Sequence, residues 1–158
     1  MKKFFSILLV LIVFTSCSEF QKALKTEDIG VKFDVATRQY EKGNYAKAIR
    51  LFEQIAPSYR GKPQAEKMFY MYAQSFYKTR QYYSAGYQFE SFVSSYPKSE
   101  KKEEAAYLAA HSFSKLSPRY SLDQIDTYKA IDKLQAFINE YPDSQYLNEA
   151  NVIVKDLR

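Results

Sequence analysis

The chain has 158 residues, 46% of them apolar and 17% aromatic, with 15 tyrosines, four glycines, one histidine and one cysteine. A lone cysteine excludes an intrachain disulfide, and so few histidines and glycines argue against a zinc site or a glycine-rich phosphate cradle. The net charge of +5 is small and interspersed with acids, which argues against a nucleic-acid partner.

Residues 1–20 read MKKFFSILLVLIVFTSCSEF: two lysines, an apolar run from Phe4 to Phe14 broken only by Ser6, then small polar residues and Cys17. This is the layout of a secretory signal. An 11-residue helix rises only about 16 Å, roughly half a hydrocarbon core, so a spanning segment is not expected. Phe14-Thr15-Ser16-Cys17 resembles the lipobox of bacterial lipoproteins, with Phe14 where Leu is usual. That resemblance implies removal of residues 1–16 and acylation of Cys17; the alternative is an ordinary signal peptide followed by a free thiol. Several acyl chains give stable anchoring where one does not. By the same resemblance, the absence of Asp at Ser18 directs the protein to the outer membrane. Loss of Lys2 and Lys3 lowers the charge from +5 to +3, and residues 17–28 are expected to form a lipidated linker.

The remainder repeats itself. AQSFYK at 73–78 recurs as AHSFSK at 110–115, and NYAKAIRLFE at 44–53 aligns with QYYSAGYQFE at 81–90, both at an offset of 37. SFVSSYPKS at 91–99 recurs as AFINEYPDS at 136–144, at an offset of 45. Periods of this size indicate stacked helical hairpins, each burying its apolar face only against its neighbours. Ala85, Phe89, Phe92 and Val93 fall at i, i+4, i+7 and i+8, and Ala130, Leu134, Phe137 and Ile138 repeat that stripe. Pro57, Pro97 and Pro142 are expected to close the second helix of each hairpin. Residues 98–104 (KSEKKEE) alternate in sign, as at a solvated helix start.

These residues resemble the 34-residue tetratricopeptide repeat. From Glu66 the chain places Phe69, Ala73, Phe76, Ala85, Phe89 and Pro97 at positions 4, 8, 11, 20, 24 and 32 of that pattern. A first, eroded repeat keeps Ala36, Ala48 and Phe52. A third keeps Ala110, Phe113, Ala130, Leu134 and Pro142 once an insertion is allowed. The expected fold is all-α: a tetratricopeptide-repeat solenoid over 29–158, with hairpins near 29–62, 66–99 and 103–144 and a further helix at 144–158. In that helix Leu147, Ala150, Val154 and Leu157 form one apolar stripe suited to a cap.

By the same resemblance, the first helices line a concave surface. Position 5 holds Phe33, Tyr70 and Tyr107, spaced 37 apart; position 12 holds Tyr40 and Tyr77; position 9 holds Gln74 and His111. Such an aromatic ladder suits an extended, partly apolar peptide. The alternative is that these rings pack between helices as core. His111 has no Cys, Asp or Glu at ligand spacing, so neither a metal nor a base is expected there. HExxH and Walker motifs are absent, and Glu103 and Glu104 are adjacent and diverge on a helix, so neither catalytic residues nor a cofactor are identified.

The change of offset from 37 to 45 means that eight extra residues enter between Lys115 and Asp126, where the chain reads SPRYSLDQIDTY at 117–128. Pro118 forbids continuation of the preceding helix, Ser121-Leu122-Asp123-Gln124 fits an S-x-x-Q capping box, and Arg119 and Tyr120 are the residues placed to reach a partner. The alternative is a tolerated surface loop. The lipobox, the repeats closing in Tyr96-Pro97-Lys98-Ser99 and Tyr141-Pro142-Asp143-Ser144, and the stretch DQIDTYKAIDKLQAFINEYPDSQY at 123–146 together resemble the BamD family of outer-membrane lipoproteins. The resemblance implies a non-enzymatic scaffold of the β-barrel assembly machinery on the periplasmic face of the outer membrane. Its partners would be unfolded outer-membrane proteins and the POTRA domain of BamA. Another periplasmic tetratricopeptide lipoprotein, serving cell-wall or glycan-uptake complexes, is the alternative. Glu149-Ala150 echoes Glu104-Ala105, so the sequence reads as stopping within a repeat.

Overall fold

The computed structural model describes residues 19–118 and 123–158; Cys17, Arg119, Tyr120, Ser121 and Leu122 lie outside the described residues. Every regular element among the described residues is an α-helix, so the fold is all-α. None of these helices is long and apolar enough to cross a membrane. The chain divides into two compact units, one ending at Lys62 and one spanning Pro63–Arg158.

In the first unit, α1 covers residues 19–25, α2 Ile29–Glu41 and α3 Tyr45–Tyr59. Asp28 caps α2, its carboxylate accepting from the Gly30 and Val31 amides at 2.8 and 3.1 Å, which satisfies two of the helix's orphan donors. The α2–α3 turn passes through Gly43 at φ 75°, a left-handed position that glycine adopts without a Cβ clash. Val35, Ala36, Leu51, Phe52 and Ile55 form the core. Phe20 of α1 is buried beneath the Lys47 and Arg50 side chains, 5.5 and 5.6 Å from its ring. Pro57 corrects one expectation: it lies inside α3, which runs on to Tyr59. In the last turn a proline removes a single backbone bond, and burial of Ile55 and Tyr59 on either side holds the helix to its end.

The second unit contains α4 (Ala65–Lys78), α5 (Tyr82–Ser95), α6 (Lys102–Ser114), α7 (Ile125–Glu140) and α8 (Leu147–Leu157). Each helix packs on the next, and α8 also touches α6, the neighbour-only pattern of a helical-repeat stack. Ala73, Ala85, Ala110 and Ala130 are all buried, at the positions where paired helices approach closely. Phe76, Phe89, Phe92, Phe113, Leu134 and Phe137 fill the spaces between them. Of the terminal stripe, Ala150 and Val154 are buried, and Leu147 and Leu157 partly so.

One structure occurs twice at the end of a hairpin. α5 and α7 stop at Tyr96 and Tyr141, whose backbones share φ −126° and ψ near 65°. Three residues on, Ser99 Oγ donates to Glu66 Oε1 at 2.6 Å and accepts from the Lys101 amide at 3.0 Å. Ser144 Oγ donates to Glu103 Oε1 at 2.6 Å and accepts from the Tyr146 amide at 3.1 Å. The Y-P-x-S motif is therefore a clasp: its serine ties the end of each hairpin to the start of that hairpin's first helix and orders the turn into the next helix.

The insertion between α6 and α7 is pinned at its base. The Thr127 hydroxyl donates to Gln124 at 2.7 Å and lies 2.6 Å from the Ser117 hydroxyl, which supplies the proton of that second bond. Asp123 Oδ1 accepts from the Ile125 amide at 3.1 Å, so the described start of α7 is held by Asp123.

Candidate peptide-binding groove

The ladder predicted at 37-residue steps has its members on α2 of the first unit and on α4 and α6 of the second. On α2, Phe33 is 6% exposed and stacks on Tyr59 with ring centres 5.0 Å apart. Tyr40, partly exposed, meets Tyr45 edge-on at 5.5 Å.

In the second unit the position-5 rings share one arrangement. Tyr70 is partly exposed, set edge-on to Phe92 at 5.5 Å, and its hydroxyl accepts from Gln74 Nε2 at 2.9 Å. Lys101 Nζ lies 5.6 Å over its ring. Tyr107, one repeat on, is 4% exposed, and Tyr146 stacks on it at 4.5 Å and 3°. Lys101 and Tyr146 are each the second residue after a clasp serine. The clasp thus delivers one covering side chain per repeat onto a position-5 ring. Sequence reasoning missed both residues, although their shared 45-residue offset would have exposed them.

His111 joins two helices. Its Nδ1 lies 2.5 Å from the Tyr77 hydroxyl on α4, and its ring stacks on Tyr107 at 5.6 Å and 11°. Burial, then the Lys115 ammonium, hold the imidazole below its ordinary range, against a smaller opposing effect of Glu149. Burial, with Tyr82 and Glu149 adding to it, raises the Tyr77 phenol. Both shifts fit a neutral imidazole accepting at Nδ1 from a protonated tyrosine. Burial pushes Tyr107 far upward, and the Glu149 carboxylate reinforces this, although the hydroxyl has no hydrogen bond of good geometry. Burial also works to raise Glu104, but hydrogen bonds from Lys101 and Tyr70 outweigh it and leave the carboxyl below its usual range. The Lys101–Glu104 pair itself spans 2.8 Å.

Burial sorts the predicted residues. Phe33, Gln74, Tyr107 and His111 are interior, at 6, 8, 4 and 9% exposure, while Tyr40, Tyr70 and Tyr77 retain accessible surface. At these positions the second unit therefore offers a ligand two partly exposed tyrosine rings and the Lys101–Glu104 ion pair. That inventory suits stacking and hydrogen bonding. No group of three or more His, Cys, Asp or Glu side chains is placed to hold a metal among the described residues.

The model of the YfiO family, described as outer membrane lipoprotein, matches residues 28–158, from the Asp28 cap through α8. The chain belongs to that family. No curated protein matches it. In this YfiO-family chain, the matched span takes in both clasps and all seven predicted groove residues.

Proposed function

We propose that this protein is a non-enzymatic scaffold lipoprotein of the BamD type, acting in assembly of β-barrel proteins at the outer membrane. The observation that carries the reading is family membership across 28–158, on a fold whose described part is all α-helix and holds three helical hairpins. In this reading residues 1–16 are removed, lipid on Cys17 tethers the chain to the periplasmic face, and residues 17–28 link anchor and helices. Tyr70 and Tyr77, the accessible rings of the second unit, receive aromatic-ended segments of unfolded barrel proteins. Their accessible ring surface supports this, because an incoming aromatic residue can pack against it. The chain also engages the POTRA domain of BamA, and the inserted loop, with Arg119 and Tyr120 at its centre, is offered as a partner contact. No cofactor is required.

Affinity purification of the tagged protein from its native membrane tests the assignment. BamA is the expected co-purifying partner; recovery of cell-wall synthesis enzymes in its place refutes it. The paired Tyr70→Ala and Tyr77→Ala substitutions are expected to weaken binding of aromatic-ended barrel peptides about tenfold while leaving the helical signal intact.

A further inference from the structure

Between α5, α6 and α7 lies an open cavity of about 330 Å³, at the small end of the range for ligand pockets. Its floor is Ala106, Ala109 and Ala110 of α6, with Val93 on one side and Phe137 and Tyr141 on the other. The reason for the cavity is written in the repeat. At the 37-residue offset, Met68, Phe69 and Tyr72 of α4 are replaced by Ala105, Ala106 and Ala109 of α6. Two of these, Ala106 and Ala109, line the cavity, so a phenylalanine and a tyrosine become methyl groups on its floor.

What is missing can be named from the preceding hairpin. There Tyr96 has two aromatic neighbours, Phe92 at 5.1 Å and Phe69 at 6.3 Å. In the next hairpin Tyr141 keeps the equivalent of the first, Phe137 at 5.2 Å, but Ala106 stands where the second ring would be. Lys102 lies over the Tyr141 ring at 5.7 Å. The mouth carries charge, but paired charge: Glu90 with Lys133 at 2.5 Å and Glu140 with Lys102 at 3.1 Å. A charged group entering here would lose water and find no free counter-ion, whereas an uncharged ring meets alanine methyls and two aromatic neighbours.

We infer that this cavity is a docking site for one aromatic side chain, of phenylalanine type, carried by an uncharged segment of a partner protein. The incoming ring completes the trio that Phe69, Phe92 and Tyr96 form within the chain. The site is lined by α5, α6 and α7 and uses neither Tyr70 nor Tyr77, so it stands whether or not the groove binds peptides.

Ala106, Ala109, Ala110 and Ala136, which line the cavity, provide the readout, through methyl resonances of the full chain labelled at alanine. The probe is an uncharged nonapeptide of Gly, Ser and Gln with a single central Phe. Saturable shifts at Ala106 and Ala109 are expected, with a central-Leu peptide binding about fivefold more weakly and a central-Gly peptide causing no shift. Ala106→Phe, which supplies the ring from within the chain, is expected to weaken the Phe peptide about tenfold while its melting temperature stays at or above the parent's. If that variant fails to fold, Ala136→Met narrows the mouth from an exposed site on α7 and carries the same expectation. The inference is overturned by absence of shifts at millimolar peptide, by equal binding of the Phe and Gly or Phe and Leu peptides, or by undiminished binding to the filled variant. Tighter binding of octyl glucoside than of the Phe peptide would assign the cavity to acyl chains and overturn it equally.

Discussion

His111 sits where three helices meet: Lys115 acts on it from just past the end of its own α6, Glu149 from α8 and the Tyr77 hydroxyl from α4. Its folded pKa lies below the ordinary value, so as pH falls the unfolded chain takes up a proton first. Stability is therefore complete above about pH 6.5 and declines from there toward the lower, folded value. Thermal melts between pH 7 and pH 5 are expected to show this decline in the parent and a flatter profile in His111→Gln. Glu104 and Glu140, both held low in the fold, contribute their own loss only at more acid pH. A second single-residue feature is Arg80, which turns α4 into α5 at φ 60°. Its counterpart 37 residues earlier is Gly43, in the same left-handed region. An L side chain there carries a steric cost that glycine avoids, so Arg80→Gly is expected to gain about 0.5–1 kcal/mol in denaturant unfolding despite the more flexible unfolded chain. Arginine gives no local sign of this conformation, but the repeat alignment does.

Among the elements, the helices and their buried stripes were legible because 3.6-residue periodicity records which face is covered: Ala85, Phe89 and Phe92, then Ala130, Leu134 and Phe137, are all interior. The ends of the helices were less so. The sequence points to proline as the closing device, and α5 and α7 do end just before Pro97 and Pro142, yet α3 runs through Pro57, and the contacts that tie each hairpin end back to its first helix belong to Ser99 and Ser144. A hydroxyl reaching a glutamate 33 or 41 residues away leaves no local pattern; only its recurrence at matching positions hints at it. Ser99→Ala and Ser144→Ala are each expected to cost about 1–2 kcal/mol in denaturant titration, the loss of one charge-assisted bond and one turn bond. The Ser144 change should cost more, because its bonds are partly shielded whereas those of Ser99 are exposed.

For the whole molecule, the anchor is the decisive expectation. If lipid on Cys17 is what holds the protein to the membrane, Cys17→Ala should appear in the soluble periplasmic fraction, folded; retention in the membrane pellet would rule lipidation out as the tether. The candidate groove was legible as a ladder of positions, because repeats place equivalent side chains at equal steps. Which rungs a ligand can touch was not, since Tyr107 is closed off by Tyr146, a residue from beyond the hairpin, and Phe33 by Tyr59. The two serine clasps carry a mechanical consequence. Tension drawn along α4 to α8 would pass first through Ser99–Glu66 and then through Ser144–Glu103, two latches of the same 2.6 Å bond arranged in series. Each must open before its hairpin can splay, so the second unit would lengthen in discrete steps under load, one hairpin at a time, instead of tearing along a single seam.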